Sequence, residues 1–183
     1  MANVLYYGSK YHIQNGYGGW DAKTNYLDTR GGGCNDNLMC VSTATSPDRD
    51  SGSGTWIISS ATSKLAGEPV LSGDQIHLQN QYGSGAGGYL DTRGTGCNGN
   101  LMCVSTADSS DRTSGSGTWR IIKDSAGGVV HENDVVHLWN KWSDWTGGFL
   151  DTRAAGCQDN LYCVSACGSW DRDAGSTHWR FQS

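Results

Sequence analysis

The sequence predicts an all-β domain of twelve short strands, built as three four-stranded repeats about a pseudo-threefold axis. Three observations lead there. A cassette that opens with Leu-Asp-Thr-Arg recurs at Leu27, Leu90 and Leu150 and runs in register to Trp56, Trp119 and Trp179, at a spacing of roughly 60 residues. Apolar residues within each copy alternate over short runs, and no stretch shows the spacing of an amphipathic helix. The chain carries 27 glycines and only 2 prolines, which suits many tight turns between strands. The whole chain, 1–183, reads as a single domain with repeats at about 1–65, 66–125 and 126–183.

The second copy shows each element most clearly. Gln75-Ile76-His77-Leu78-Gln79 alternates, so Ile76 and Leu78 share one face of a half-buried strand. Residues 80–87 are a loop by composition, and Gly88–Thr92 is the second strand. The Asn98-Gly99 pair supplies positive φ for a turn, after which Leu101–Ser105 is the third strand. Polar residues 108–117 form a loop, and Thr118–Ile122 is the fourth strand, anchored by Trp119. No helix beyond a single turn is expected. A four-stranded unit cannot bury its own apolar face, whereas three can close a shared core. The expected inward residues are Ile13, Leu78 and Leu138, then Leu27, Leu90 and Leu150, then Trp56, Trp119 and Trp179. A three-sheet prism and a three-bladed propeller are the rival closures.

A net charge of −5 without a basic run argues against nucleic acid or an anionic membrane surface as partner. No apolar stretch is long enough to insert in a membrane. The first residues already align with the repeat and lack a basic segment followed by an apolar one. The expected location is therefore cytoplasmic, or outside the cell by release without a classical signal peptide. Six of the 7 cysteines form pairs in register, Cys34 with Cys40, Cys97 with Cys103 and Cys157 with Cys163; Cys167 is the odd one. Bridged pairs and buried thiols both fit this pattern, and the spacing does not suit zinc.

Recurrence in all three copies marks a polar set that apolar packing does not require. It comprises Asp28, Asp91 and Asp151; Asn37, Asn100 and Asn160; and Arg49, Arg112 and Arg172. Tyr17, Tyr82 and Trp142 recur as loop aromatics. Carboxylate, amide and guanidinium groups match vicinal hydroxyls, and an aromatic face covers the C–H side of a sugar ring. One shallow sugar site per repeat is the functional expectation, with clustered glycans engaged by several sites at once. The plain structural alternative is an Asp–Arg ion pair that staples loops, with the asparagine capping a turn. His12, His77 and His137 recur on the outward face of the first strand, where a structural role outweighs sugar contact, metal binding or pH sensing. No nucleophile elbow, phosphate loop or single catalytic centre stands out, so neither catalysis, a cofactor nor a metal is expected.

The twelve strands, the Asp after an apolar pair, the Asn about nine residues on and the late tryptophan resemble the β-trefoil fold, and within it the ricin-type lectin modules. That resemblance implies a multivalent, non-catalytic carbohydrate-binding protein and tilts the sugar toward galactose or N-acetylgalactosamine. It also implies an Asp on the second strand, an aromatic platform on the third and a polar residue in the next loop. Asp28, Asp91 and Asp151 match the first, Val41, Val104 and Val164 occupy the platform position, and Arg49, Arg112 and Arg172 fill the polar role. The repeats end in Gly-Thr-Trp or Thr-His-Trp where those modules have Gln-x-Trp. The competing readings are a protein-binding domain of protease-inhibitor or actin-bundling type, and a structural or toxin-associated repeat without a ligand. A homo-oligomer is compatible with any of them.

Overall fold

A computed structural model describes residues 2–20 and 25–183. The stretch from Asn15 to Leu27 is two residues longer than its counterparts in the other repeats, and residues 21–24 within it lie outside the described residues.

Among the described residues twelve strands form, four per repeat. In the first repeat β1 is Lys10–Asn15, β2 Tyr26–Gly32, β3 Met39–Ala44 and β4 Thr55–Ser60. The second has β5 Gln75–Asn80, β6 Tyr89–Thr95, β7 Met102–Ala107 and β8 Trp119–Lys123. The third has β9 Val136–Asn140, β10 Phe149–Ala155, β11 Tyr162–Cys167 and β12 Trp179–Gln182. The only α-helical segment among the described residues is the single turn Trp142–Trp145. The alternation read from the sequence therefore yields strands at the expected places, because each run is too short and too polar on one face to do otherwise.

Pairing is antiparallel throughout. β1 pairs with β4, β4 with β5, β5 with β8, β8 with β9, β9 with β12, and β12 with β1, which closes a ring. The hairpins β2–β3, β6–β7 and β10–β11 extend from it, and β3, β7 and β11 pair with one another at the far end. All twelve strands belong to one hydrogen-bonded sheet. This corrects the β-trefoil expectation of three four-stranded units meeting on an axis: the architecture is a closed antiparallel β-barrel. The longest ladders of the ring run between repeats, as from Trp56↔Asn80 to Ser60↔Ile76, whereas β9 meets β12 of its own repeat only at Val136↔Trp179. Periodicity in the sequence reports copies of a segment, not which copy each strand pairs with. Closure leaves no free edge along the ring for another chain to extend.

The interior is filled as the sequence suggests. Ile13, Leu78, Leu138, Leu27, Leu90, Leu150, Trp56, Trp119 and Trp179 have no solvent exposure. Each buried indole keeps its donor satisfied: Trp56 Nε1 donates to Leu27 O, Trp119 Nε1 to Leu90 O and Trp179 Nε1 to Leu150 O, all at 2.9 Å. One glycine is obligatory in each of the first two copies. A Cβ on Gly54 or Gly117 would fall 2.0 Å from Pro47 O or Ser110 O. The paired cysteines are bridged, with Cα separations of 4.9, 4.9 and 5.0 Å, and each bridge spans the turn between the second and third strands of its repeat.

Candidate functional site

The recurrent polar triplets are spent on joining repeats. Arg49 Nε donates to Asp28 Oδ2 at 3.2 Å, Arg112 Nε to Asp91 Oδ2 at 3.2 Å and Arg172 Nε to Asp151 Oδ2 at 2.9 Å. The asparagines expected beside the aspartate of their own copy reach the next copy instead. Asn37 Nδ2 donates to Asp91, Asn100 Nδ2 to Asp151 and Asn160 Nδ2 to Asp28, at 2.8–3.0 Å. The three carboxylates are fully buried. For Asp91, burial raises the carboxyl pKa against the opposing pull of Ser116, Arg112 and Asn37. A second circuit runs alongside: Thr29 donates to Asn80, Thr92 to Asn140 and Thr152 to Asn15, each at 2.9 Å. The last residue of each first strand is thus as structural as the buried aspartates. Its recurrence in the sequence was the available signal.

The loop aromatics follow immediately. Asn15, Asn80 and Asn140 accept the backbone N–H of Tyr17, Tyr82 and Trp142 at 3.0 Å, which presents each ring half-buried on the surface. Tyr17 leans edge-on against Tyr162 of the third repeat, with centroids 5.5 Å apart. Between them and Arg153, Ala155, Arg172 and Asp173 lies a cleft of about 280 Å³. The structure therefore brings together two of the expected residues, Tyr17 and Arg172, across a repeat boundary. Asp151 and Asn100 lie behind the arginine as its support. At the other boundaries Met39 and Met102 stand where Tyr162 does, so the paired aromatic walls occur at one of the three. The groove between the first two repeats, beside Asn37, Arg93 and Arg112, has no aromatic lining. A cup on the axis is lined by the disulfides, Asn35, Asn98, Gln158 and three valines, and offers neither an aromatic face nor an ionisable group.

The third repeat departs from its sisters in a further place. His12 Nδ1 and His77 Nδ1 lie 3.0 and 2.9 Å from Gly54 O and Gly117 O. His137, expected on the outward face, is instead fully buried and lies under Trp170, with ring centroids 3.8 Å apart. Its Nε2 is 3.3 Å from Asp124 Oδ1. Burial lowers its pKa, reinforced by the His178 charge and opposed by Asp124 and Asp171. Trp139, Trp145 and Phe149 continue the aromatic wall, and the Arg120 guanidinium sits 3.9 Å from the Trp145 centroid.

The closed antiparallel barrel is a fold shared with other solved proteins, although no family model and no curated protein matches the sequence. Among the similar structures is a Caenorhabditis elegans protein described as of unknown function, at TM-score 0.74 and 16% identity, covering 98% of this chain and 96% of that one. An SDF2-like protein from Arabidopsis thaliana matches at TM-score 0.70 and 20% identity, covering 98% and 94%. The botulinum neurotoxin serotype D binding domain matches at TM-score 0.65 and 17% identity, covering 100% of this chain and 45% of that one. Identities this low show the fold alone, and they lend the ricin-type and lectin expectations no support.

Proposed function

We propose that this protein is a non-catalytic carbohydrate-binding protein whose sugar seat is the cleft between Tyr17 and Tyr162. One observation carries the reading: two half-buried tyrosines set edge to face beside two arginines and Asp173, in a hollow of about 280 Å³, close to what one sugar ring needs. A tyrosine face covers the C–H side of the ring, while Arg153 donates and Asp173 accepts from hydroxyls. Arg172 is fixed by Asp151 and by Thr152 O at 2.8 Å, so its remaining donors are pre-aimed. Such a seat binds a monosaccharide at roughly millimolar to high-micromolar Kd. Stoichiometry is one per chain, because only this boundary pairs two aromatics. Avidity for clustered glycans then comes from several copies of the protein and not from three sites on one. The disulfides support an oxidising compartment outside the cytosol.

A glycan-array screen followed by isothermal titration of the best ligand tests the proposal. Tyr17→Ala and Tyr162→Ala are each expected to abolish measurable binding with little change in melting temperature. Binding that survives both substitutions overturns the site. A screen with no glycan bound overturns the function.

A further inference from the structure

Three departures in the third copy and one at the end of the second converge on His137. Its sisters, His12 and His77, keep a hydrogen bond to a glycine carbonyl. In the third copy Thr177 replaces that glycine and its hydroxyl donates to Trp170 O. His178 stands where the sisters have Thr55 and Thr118, Trp170 where they have Pro47 and Ser110, and Asp124 where the first copy has Ala61. A histidine kept only for packing has no reason to abandon the carbonyl bond. His137 does so and leaves its Nδ1 buried without a partner. Such an orphaned atom is costly in isolation.

The side chains gathered there are metal ligands by type and spacing. One donor atom from each of Asp124, His137 and His178 lies within 4.8 Å of the others. The two imidazoles meet edge to face with centroids 5.0 Å apart. Tetrahedral coordination at about 2.0–2.1 Å puts ligand atoms roughly 3.3 Å apart, so a modest contraction suffices. His178 Nε2 is also 3.6 Å from Asp171 Oδ2, which places a second carboxylate, and so a fourth ligand, at hand. Trp170 locks the arrangement from outside: its ring covers His137 and its Nε1 donates to Asp124 Oδ1 at 3.4 Å. Two imidazole nitrogens with one carboxylate oxygen suit a borderline ion and not a hard one, which requires more oxygens.

We propose that the third repeat holds a binding site for one divalent transition-metal ion of the zinc class, with Asp124, His137 and His178 as ligands and Asp171 or water completing the set. The site is separate from the Tyr17–Tyr162 cleft and stands or falls independently of it. Its ligands sit just after β8, on β9 and just before β12, so the ion joins the second repeat to the third. Trp170, 41% exposed, reports on it.

Zinc sulfate titrated calorimetrically into chelator-treated, full-length protein is expected to show one site at micromolar Kd or tighter, with a rise in melting temperature. Co2+ should give visible d–d absorption, and Cu2+ should quench tryptophan emission. Asp124→Ala and His178→Thr restore residues the sister copies carry at these positions, so the fold is retained. Each is expected to weaken zinc at least tenfold and to remove the thermal shift. The proposal is overturned if millimolar zinc neither binds nor stabilises, if either variant binds as the parent does, or if Ca2+ or Mg2+ binds equally well.

Discussion

Replacing Asp91 by alanine separates a staple from a ligand-binding group. The carboxylate has no solvent exposure and accepts from Arg112 Nε at 3.2 Å and Asn37 Nδ2 at 3.0 Å. Removing one member of a buried pair costs about 3–5 kcal/mol. Arg112 keeps 28% side-chain exposure, so water takes over part of its charge and the figure falls. Asn37 keeps Ser105 Oγ at 3.0 Å and loses little more. A net loss of about 2–4 kcal/mol remains. For a domain of this size that corresponds to a fall of roughly 5–15 °C in melting temperature. Calorimetric melts and urea titration of Asp91→Ala measure it, with Asp91→Asn as the isosteric control expected to lose about half as much. Sugar binding at the Tyr17–Tyr162 cleft should be unchanged, since Asp91 does not line it. A drop below about 2 °C accompanied by lost glycan binding would refute the staple and return Asp91 to a ligand role.

Three further outcomes are expected of the protein. Unfolding without reductant should expose one titratable thiol per chain and native protein none, because Cys167 is the free cysteine, is 2% exposed, and burial pushes its pKa up; any other count in the unfolded chain contradicts the pairing. Converting Cys97 and Cys103 together to alanine should destabilise by about 2 kcal/mol in urea titration, since the closed loop is short. Burial alone would raise the Asp74 pKa, but the Leu71 amide, Lys64 and the Tyr7 hydroxyl outweigh it and hold it below the ordinary 3.8. A depressed folded pKa gives stability that is complete above about pH 5 and is lost as the pH falls through that folded value. Urea midpoints of the parent should therefore decline below about pH 4, and Asp74→Asn should flatten the decline; parallel curves would contradict it.

The strands were legible because each is a short alternating run between glycine-rich turns, and the tryptophans declared themselves as core by ending every copy. Pairing was not legible. Nothing in residues 60–75 tells a reader that β4 ladders with β5 of the next copy from Trp56 to Ser60, while β9 and β12 of one copy barely touch. The polar triplets were visible as recurrent, but recurrence is equally expected of a ligand site and of a joint between copies. Only the distances from Asn37 to Asp91 and from Asn160 to Asp28 decide for the joint. The cleft escaped for a related reason: Tyr17 and Tyr162 are distant in sequence and belong to different copies. The histidine cluster left a plain trace, Thr-His-Trp in place of Gly-Thr-Trp, and its meaning appeared only when Asp124 from the preceding copy came into view.

The asparagine hand-over runs from first copy to second, second to third, and third back to first. No copy is terminal in that circuit, so the peptide links between copies are not what makes it close. A single copy synthesised alone carries one donor and one acceptor that only a sister can satisfy, and three such pieces mixed in solution should find one another as a ring. The covalent chain, on this view, chiefly permits the copies to differ, and the third has used that freedom most.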